Sequence, residues 1–131
     1  VGTHPAANHN AIAEALQFHQ AIGTERRAAR MRYLRARWED RVEKLPGAKI
    51  LTSKDPEQSC GLVNLSLETI PAPKVARHLW DKHRIVVTPI VHDEYQGIRV
   101  TPNIYTTLEE IDTFAAAIEG LVRTGLPKET A

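Results

Sequence analysis

Apolar residues recur at helical spacing early in this chain. Ile12, Ala15, Leu16, Phe18 and Ile22 predict a helix over Ala11–Ile22, after a loop from Val1 to Asn10 and before a stop at Gly23. Thr24 to Leu45 predicts a second helix. Its apolar positions, Met31, Leu34, Trp38, Val42 and Leu45, form one narrow stripe. Pro46-Gly47 ends it. The pattern then changes period. Lys49–Thr52 is a short strand candidate, and Thr52 to Cys60 a polar loop. Gly61–Leu67 alternates, with Val63, Leu65 and Leu67 on one face and Asn64 and Ser66 on the other. After a two-proline break, Pro73 to about His83 predicts a helix with Val75, Leu79 and Trp80 turned inward. Ile85–Thr88 is a β-branched strand, and Pro89–Gln96 a loop.

The next strand puts Ile98 and Val100 on one face and Arg99 and Thr101 on the other. Thr107 and Glu110 form a capping box. The helix they start has Leu108, Ile111, Phe114, Ile118, Leu121 and Val122 facing in, and Gly125 and Pro127 end it. The order helix, helix, strand, strand, helix, strand, strand, helix predicts an α+β fold. Its sheet is small and mainly antiparallel, with helices on one face and a long linking helix in front. Residues 1–23 form a separate loop and helix, 24–126 the main domain and 127–131 a tail.

Composition narrows the function classes. The 131 residues carry a net charge of +1, with 42% apolar and 25% charged, so overall charge points to neither nucleic acid nor a membrane surface. No apolar run approaches the ~18 residues of a membrane span. The single cysteine, Cys60, excludes an intramolecular disulfide framework and fits a cytoplasmic protein. The second helix is rich in arginine, but Glu25, Glu39, Asp40 and Glu43 balance it and stacking aromatics are missing. A solvated, ion-paired helix is the reading adopted.

Candidate chemistry centres on Arg99. A guanidinium on a stiff strand, followed by a turn and a capped helix, suits bidentate capture of a carboxylate. The plainer alternative is a surface ion pair worth little. Gly2-Thr3 could present backbone N–H groups and a hydroxyl to a phosphate, or be an ordinary loop pair. His92 and Asp93, shortly before Arg99, either flank its ligand or are solvated, the latter being simpler. His78 and His83 stand roughly 140° apart around a helix and do not share a face. With one cysteine, the histidines make no metal pattern. No sequence feature marks Cys60 as an activated thiol, so it is no nucleophile candidate.

The residues Arg99, Val100, Thr101, Pro102, Tyr105, Thr106, Thr107, Glu109 and Glu110 carry a resemblance. They resemble the Arg-hydrophobe-Ser/Thr-Pro-x-x-Tyr-Asn/Thr-Thr ending, with its acidic helix, of the class V aminotransferases. These are pyridoxal-phosphate (PLP) enzymes of fold type I, a family that includes isopenicillin N epimerases and cysteine desulfurases. The resemblance runs from Gly2 to about Val122 and implies that residues 24–126 are the C-terminal small domain of such an enzyme with its linking helix, and that residues 1–23 belong to the large-domain, cofactor side. It implies that Arg99 binds the α-carboxylate of an amino-acid substrate. It also implies that Gly2 and Thr3 contact the cofactor phosphate, the threonine reaching across a homodimer.

Two departures matter. Desulfurases place a reactive cysteine before the arginine strand, and Pro89–Gln96 has none, which favours the aminotransferase or epimerase branches. The family's Schiff-base lysine and pyridine-nitrogen acid lie upstream of its Gly-Thr segment, whereas every lysine here lies downstream. The chain alone is therefore expected to be inactive. It is expected to be cropped from a longer protein, with an exposed apolar face around Ile12, Leu16 and Phe18. The rival reading is a stand-alone α+β module that binds a protein partner and catalyses nothing.

Overall fold

The computed structural model describes residues 5–127. Its elements, in chain order, are α1 (Ala6–Ile22), α2 (Thr24–Val42), β1 (Ala48–Ile50), β2 (Val63–Leu67), α3 (Ala72–His83), β3 (Thr88–Val91), β4 (Gln96–Val100) and α4 (Leu108–Thr124). The strands form one antiparallel sheet in the order β1-β2-β4-β3. This is the α+β arrangement that the alternating periods predict.

The core lies on one face of that sheet. Val63, Leu65 and Leu67 of β2 and Ile98 and Val100 of β4 point inward, as their period of two requires. Helix α2 covers them with Leu34, Trp38 and Val42, all fully buried. Ile111, Phe114, Ile118 and Leu121 of α4 and Val75 and Leu79 of α3 complete the layer. The Trp38 and Phe114 rings meet edge to face at 5.2 Å, the geometry that ring quadrupoles favour. The capping box forms in both directions. Thr107 N–H donates to Glu110 Oε2 at 2.8 Å, and Glu110 N–H donates to Thr107 Oγ1 at 3.2 Å.

The structure corrects several boundaries. β3 starts at Thr88, where the sequence placed the end of a strand, and it includes Pro89. Proline has no N–H for the ladder, but β3 is the edge strand and tolerates that loss. Ile85 and Val87 are instead a half-buried lead-in packed on the core. α1 begins at Ala6, because Pro5 suits the entry to a helix. α2 ends at Val42, and Leu45 reaches the core from the following turn. Trp80 is 48% exposed, with the Arg84 guanidinium 5.3 Å above its ring. α1 buries none of its residues, and Ile12, Leu16 and Phe18 are each more than half exposed.

The arginines of α2 are less solvated than the sequence implied. Arg35 and Glu39 are both buried, with Arg35 Nε donating to Glu39 Oε2 at 2.6 Å. Arg35 also donates to Ser59 Oγ at 2.8 Å and to the Ser53 carbonyl at 3.1 Å, so it fastens the 52–60 loop to α2. Arg37 grips Asp112 with two bonds of 2.8 and 2.6 Å, and Arg41 grips Glu119 at 2.8 and 2.9 Å. These pairs staple α2 to α4. Arg30 donates to the Thr106 carbonyl at 2.9 Å and holds the segment between β4 and α4.

Candidate functional site

The outer face of the sheet carries the candidate site. Three strands contribute one residue each to a single row, because Asn64 of β2 and Thr88 of β3 both pair with Arg99 of β4. Arg99 is exposed, and its Nη2 donates to Thr88 Oγ1 at 3.3 Å. Among the described residues no aspartate or glutamate comes within ion-pair distance of it. The guanidinium therefore keeps donors free for a ligand.

Arg99 lines a concavity of about 610 Å³ with Leu51, Thr52, Leu62, Asn64, Ile90 and Tyr95. Its walls are mostly apolar. A carboxylate brought here meets a cation beside low-dielectric groups, which strengthens the attraction over that in open water. Asn64 Oδ1 is buried without a partner, and no hydrogen bond among the described residues engages its Nδ2. The amide lies over Gly97, where no side chain competes for the space; a Cβ there would also fall 2.6 Å from the Leu65 carbonyl oxygen.

The other sequence candidates fall as follows. Gly2 and Thr3 lie outside the described residues. His92 is in the β3–β4 turn and stacks on Tyr95 at 5.1 Å, so it backs a wall of the concavity. Its Nδ1 accepts from the Glu94 N–H at 3.2 Å. Asp93 does not line the concavity. Cys60 sits against α2, its Sγ 3.8 Å from the Ala28 carbonyl, and it too is absent from the lining. The His78 and His83 rings meet edge to face at 5.9 Å despite their angular offset. Burial first, then the nearby His83 and Lys82 charges, lower the His78 pKa. Among the described residues no three His, Cys, Asp or Glu side chains are grouped to hold a metal.

The contribution of Asn64 and of Tyr95 was missed by sequence reasoning. Strict alternation already put Asn64 on the polar face of its strand. Only the register, Asn64 opposite Arg99, reveals that the two belong together.

The fold, and a strand arginine that no carboxylate among the described residues engages, define a small α+β domain with an open concavity on its bare sheet face. Comparison with known proteins narrows this further. The family model of the class-V aminotransferases matches residues 1–114, and the chain belongs to that family. These are the PLP enzymes of fold type I. Isopenicillin N epimerase from Streptomyces clavuligerus is 31% identical over 121 residues, covering 92% of this chain and 30% of the relative. The chain thus spans less than a third of the length of the curated relative it matches.

Solved structures agree on the fold. A cysteine desulfurase from Escherichia coli superposes with a TM-score of 0.80 at 17% identity, over 94% of this chain and 32% of that one. A cysteine desulfurase from Thermococcus onnurineus NA1 gives 0.72 at 22% identity, over 82% and 28%. A C-DES mutant with glycine covalently linked to its PLP cofactor gives 0.65 at 25% identity, over 79% and 26%.

The family implies pyridoxal phosphate. Arg99, Thr88 and Asn64 suit an anion, but no lysine lines the concavity to bond the cofactor covalently. The described residues fit an anion and do not by themselves fit the cofactor.

Proposed function

We propose that this chain is the substrate-carboxylate-binding part of a PLP-dependent class V enzyme that acts on an amino acid. Arg99 receives the α-carboxylate on the outer face of the sheet. The observation that carries this reading is a contrast in pairing. Arg35, Arg37 and Arg41 each hold a carboxylate of this chain, while Arg99 holds none among the described residues and opens into a concavity.

Pyridoxal phosphate supplies the electron sink for bond cleavage at Cα in such enzymes. The work of this chain is orientation. A guanidinium on a central strand fixes the carboxylate, and with it the direction of the bonds at Cα, which is where positioning lowers a barrier. Gly2 and Thr3 are proposed to contact the cofactor phosphate, with Thr3 reaching the partner subunit of a homodimer. The Thr88–Gln96 segment lacks a cysteine, which favours transamination or epimerisation over desulfuration.

The test uses the whole protein that carries this chain, purified with pyridoxal phosphate. A visible cofactor band, and cofactor mass retained after borohydride, are the expected signatures. Arg99→Ala should raise KM for the amino acid about 100-fold, since truncating one partner of a partly desolvated charge pair costs 2–5 kcal/mol. No band, or an Arg99→Ala protein with unchanged KM, would overturn the reading.

A further inference from the structure

We infer that Asn64 is a second donor to the same carboxylate, completing a two-point anchor with Arg99. The inference rests on the carboxylate reading of Arg99 and adds a ligand that neither the fold nor the family match assigns. Asn64 is the direct cross-strand partner of Arg99, and residues opposite each other on one face of a sheet have Cβ atoms about 4.5–5.5 Å apart. Both side chains line one concavity. The Oδ1 end of the amide is enclosed and the Nδ2 end has no partner among the described residues. An amide with an unused donor beside a guanidinium that engages only the Thr88 hydroxyl among the described residues is the arrangement an anion needs.

The local backbone supports the placement. Gly97 is the diagonal neighbour of Asn64, and its missing side chain gives the amide its room. Asn64 is also held from below. Its N–H donates to Thr52 Oγ1 at 2.8 Å, and its carbonyl accepts from the Leu51 N–H at 2.9 Å. A side chain on so fixed a backbone loses little freedom on binding. Thr88 occupies the other flank of Arg99, and its contact at 3.3 Å steadies the guanidinium from the β3 side. A carboxylate seated on the row would then bridge Arg99 and Asn64, one oxygen to each, leaving the rest of the amino acid over Leu62 and Tyr95.

The experiment is a titration of the whole protein that carries this chain, purified with pyridoxal phosphate, with L-norleucine, followed by NMR of the Arg99 Nε–H and the Asn64 side-chain amide. Pentylamine, the same molecule without its carboxylate, is the control. Both signals should move along one saturation curve with norleucine and stay still with pentylamine. Asn64→Ala should weaken binding about 10- to 150-fold, in the range of one hydrogen bond to a charged group. Asn64→Ser keeps a donor and should recover part of that loss. Asn64→Asp sets a carboxylate opposite Arg99 and should abolish the norleucine response.

Movement of the Arg99 signal alone, with unchanged affinity in Asn64→Ala, overturns the role of Asn64 and leaves that of Arg99 standing. If neither signal moves, the carboxylate reading itself falls. A folded spectrum for each variant, matched to the parent outside the sheet face, excludes loss of structure as the cause.

Discussion

Helix α2 and strand β4 use the same side chain for opposite purposes. On α2, Arg35, Arg37 and Arg41 spend their donors on carboxylates of this chain, and Arg30 on backbone carbonyls. Those bonds hold a loop and a second helix in place. On β4, among the described residues Arg99 has a single 3.3 Å hydrogen bond, to a neutral hydroxyl, and it lines an open concavity. The difference teaches that an arginine's role is written in what surrounds it. A guanidinium already saturated by its own fold is structural, and one left unsaturated on a rigid element is available to a ligand.

The comparison breaks most sharply at the buried pair. Arg35→Ala or Glu39→Ala leaves one charge enclosed without its partner, and urea unfolding should show a loss of about 3–5 kcal/mol. Replacing both residues together, as Arg35→Met with Glu39→Leu, should recover most of that loss, because the desolvation penalty disappears with the charges. If the single variants cost nothing, Arg35 is not structural and the contrast with Arg99 fails.

A smaller effect is expected at the junction that follows β4. Thr107→Ala removes the Oγ1 that accepts from the Glu110 N–H, leaving only the backbone half of the capping box at α4, and should cost about 1 kcal/mol by the same unfolding measurement. Helix α4 should fray first, visible as faster amide exchange at Leu108–Ile111 than in the parent chain.

The smallest effect lies in the staples between α2 and α4. The Arg37 hydrogen bond beside Asp112, and the Arg41 hydrogen bond beside Glu119, hold both carboxyl groups below their usual range. A depressed folded-state pKa contributes stability above the ordinary carboxylate range, and that contribution is lost as pH falls through the folded-state value. Melting temperature should therefore fall on acidification below about pH 4, where unfolded carboxylates begin to bind protons. The part of the fall due to these staples should be absent in an Asp112→Asn, Glu119→Gln variant. Both pairs are partly exposed, so salt should reduce the difference.

Much of the fold could be read from local patterns. β2 alternates without interruption, and the Thr107–Glu110 box marks the start of α4 to the residue. Those signals are local, and the physics that produces them is local as well. β3 was displaced because Pro89 reads as a stop, and only the strand order reveals an edge that tolerates it. Arg35 escaped notice for a similar reason. Among seven arginines on one helix, nothing but tertiary packing selects the one that is buried with a glutamate four residues on. Arg99 was legible as a candidate from its alternating strand and the motif after it. Asn64 was not, since its meaning depends on a register between segments 35 residues apart in the chain. Gly2 and Thr3 lie beyond the residues the structure describes, so their part in the proposal rests on resemblance alone.

The central claim is that Arg99 serves a ligand and not the fold. The most direct measurement is to take Arg99→Ala and follow urea unfolding and norleucine binding on the same preparation. The account predicts a stability within about 0.5 kcal/mol of the parent, as for a surface substitution, together with loss of carboxylate-dependent binding. A marked fall in stability, or norleucine binding that survives the substitution, would contradict it.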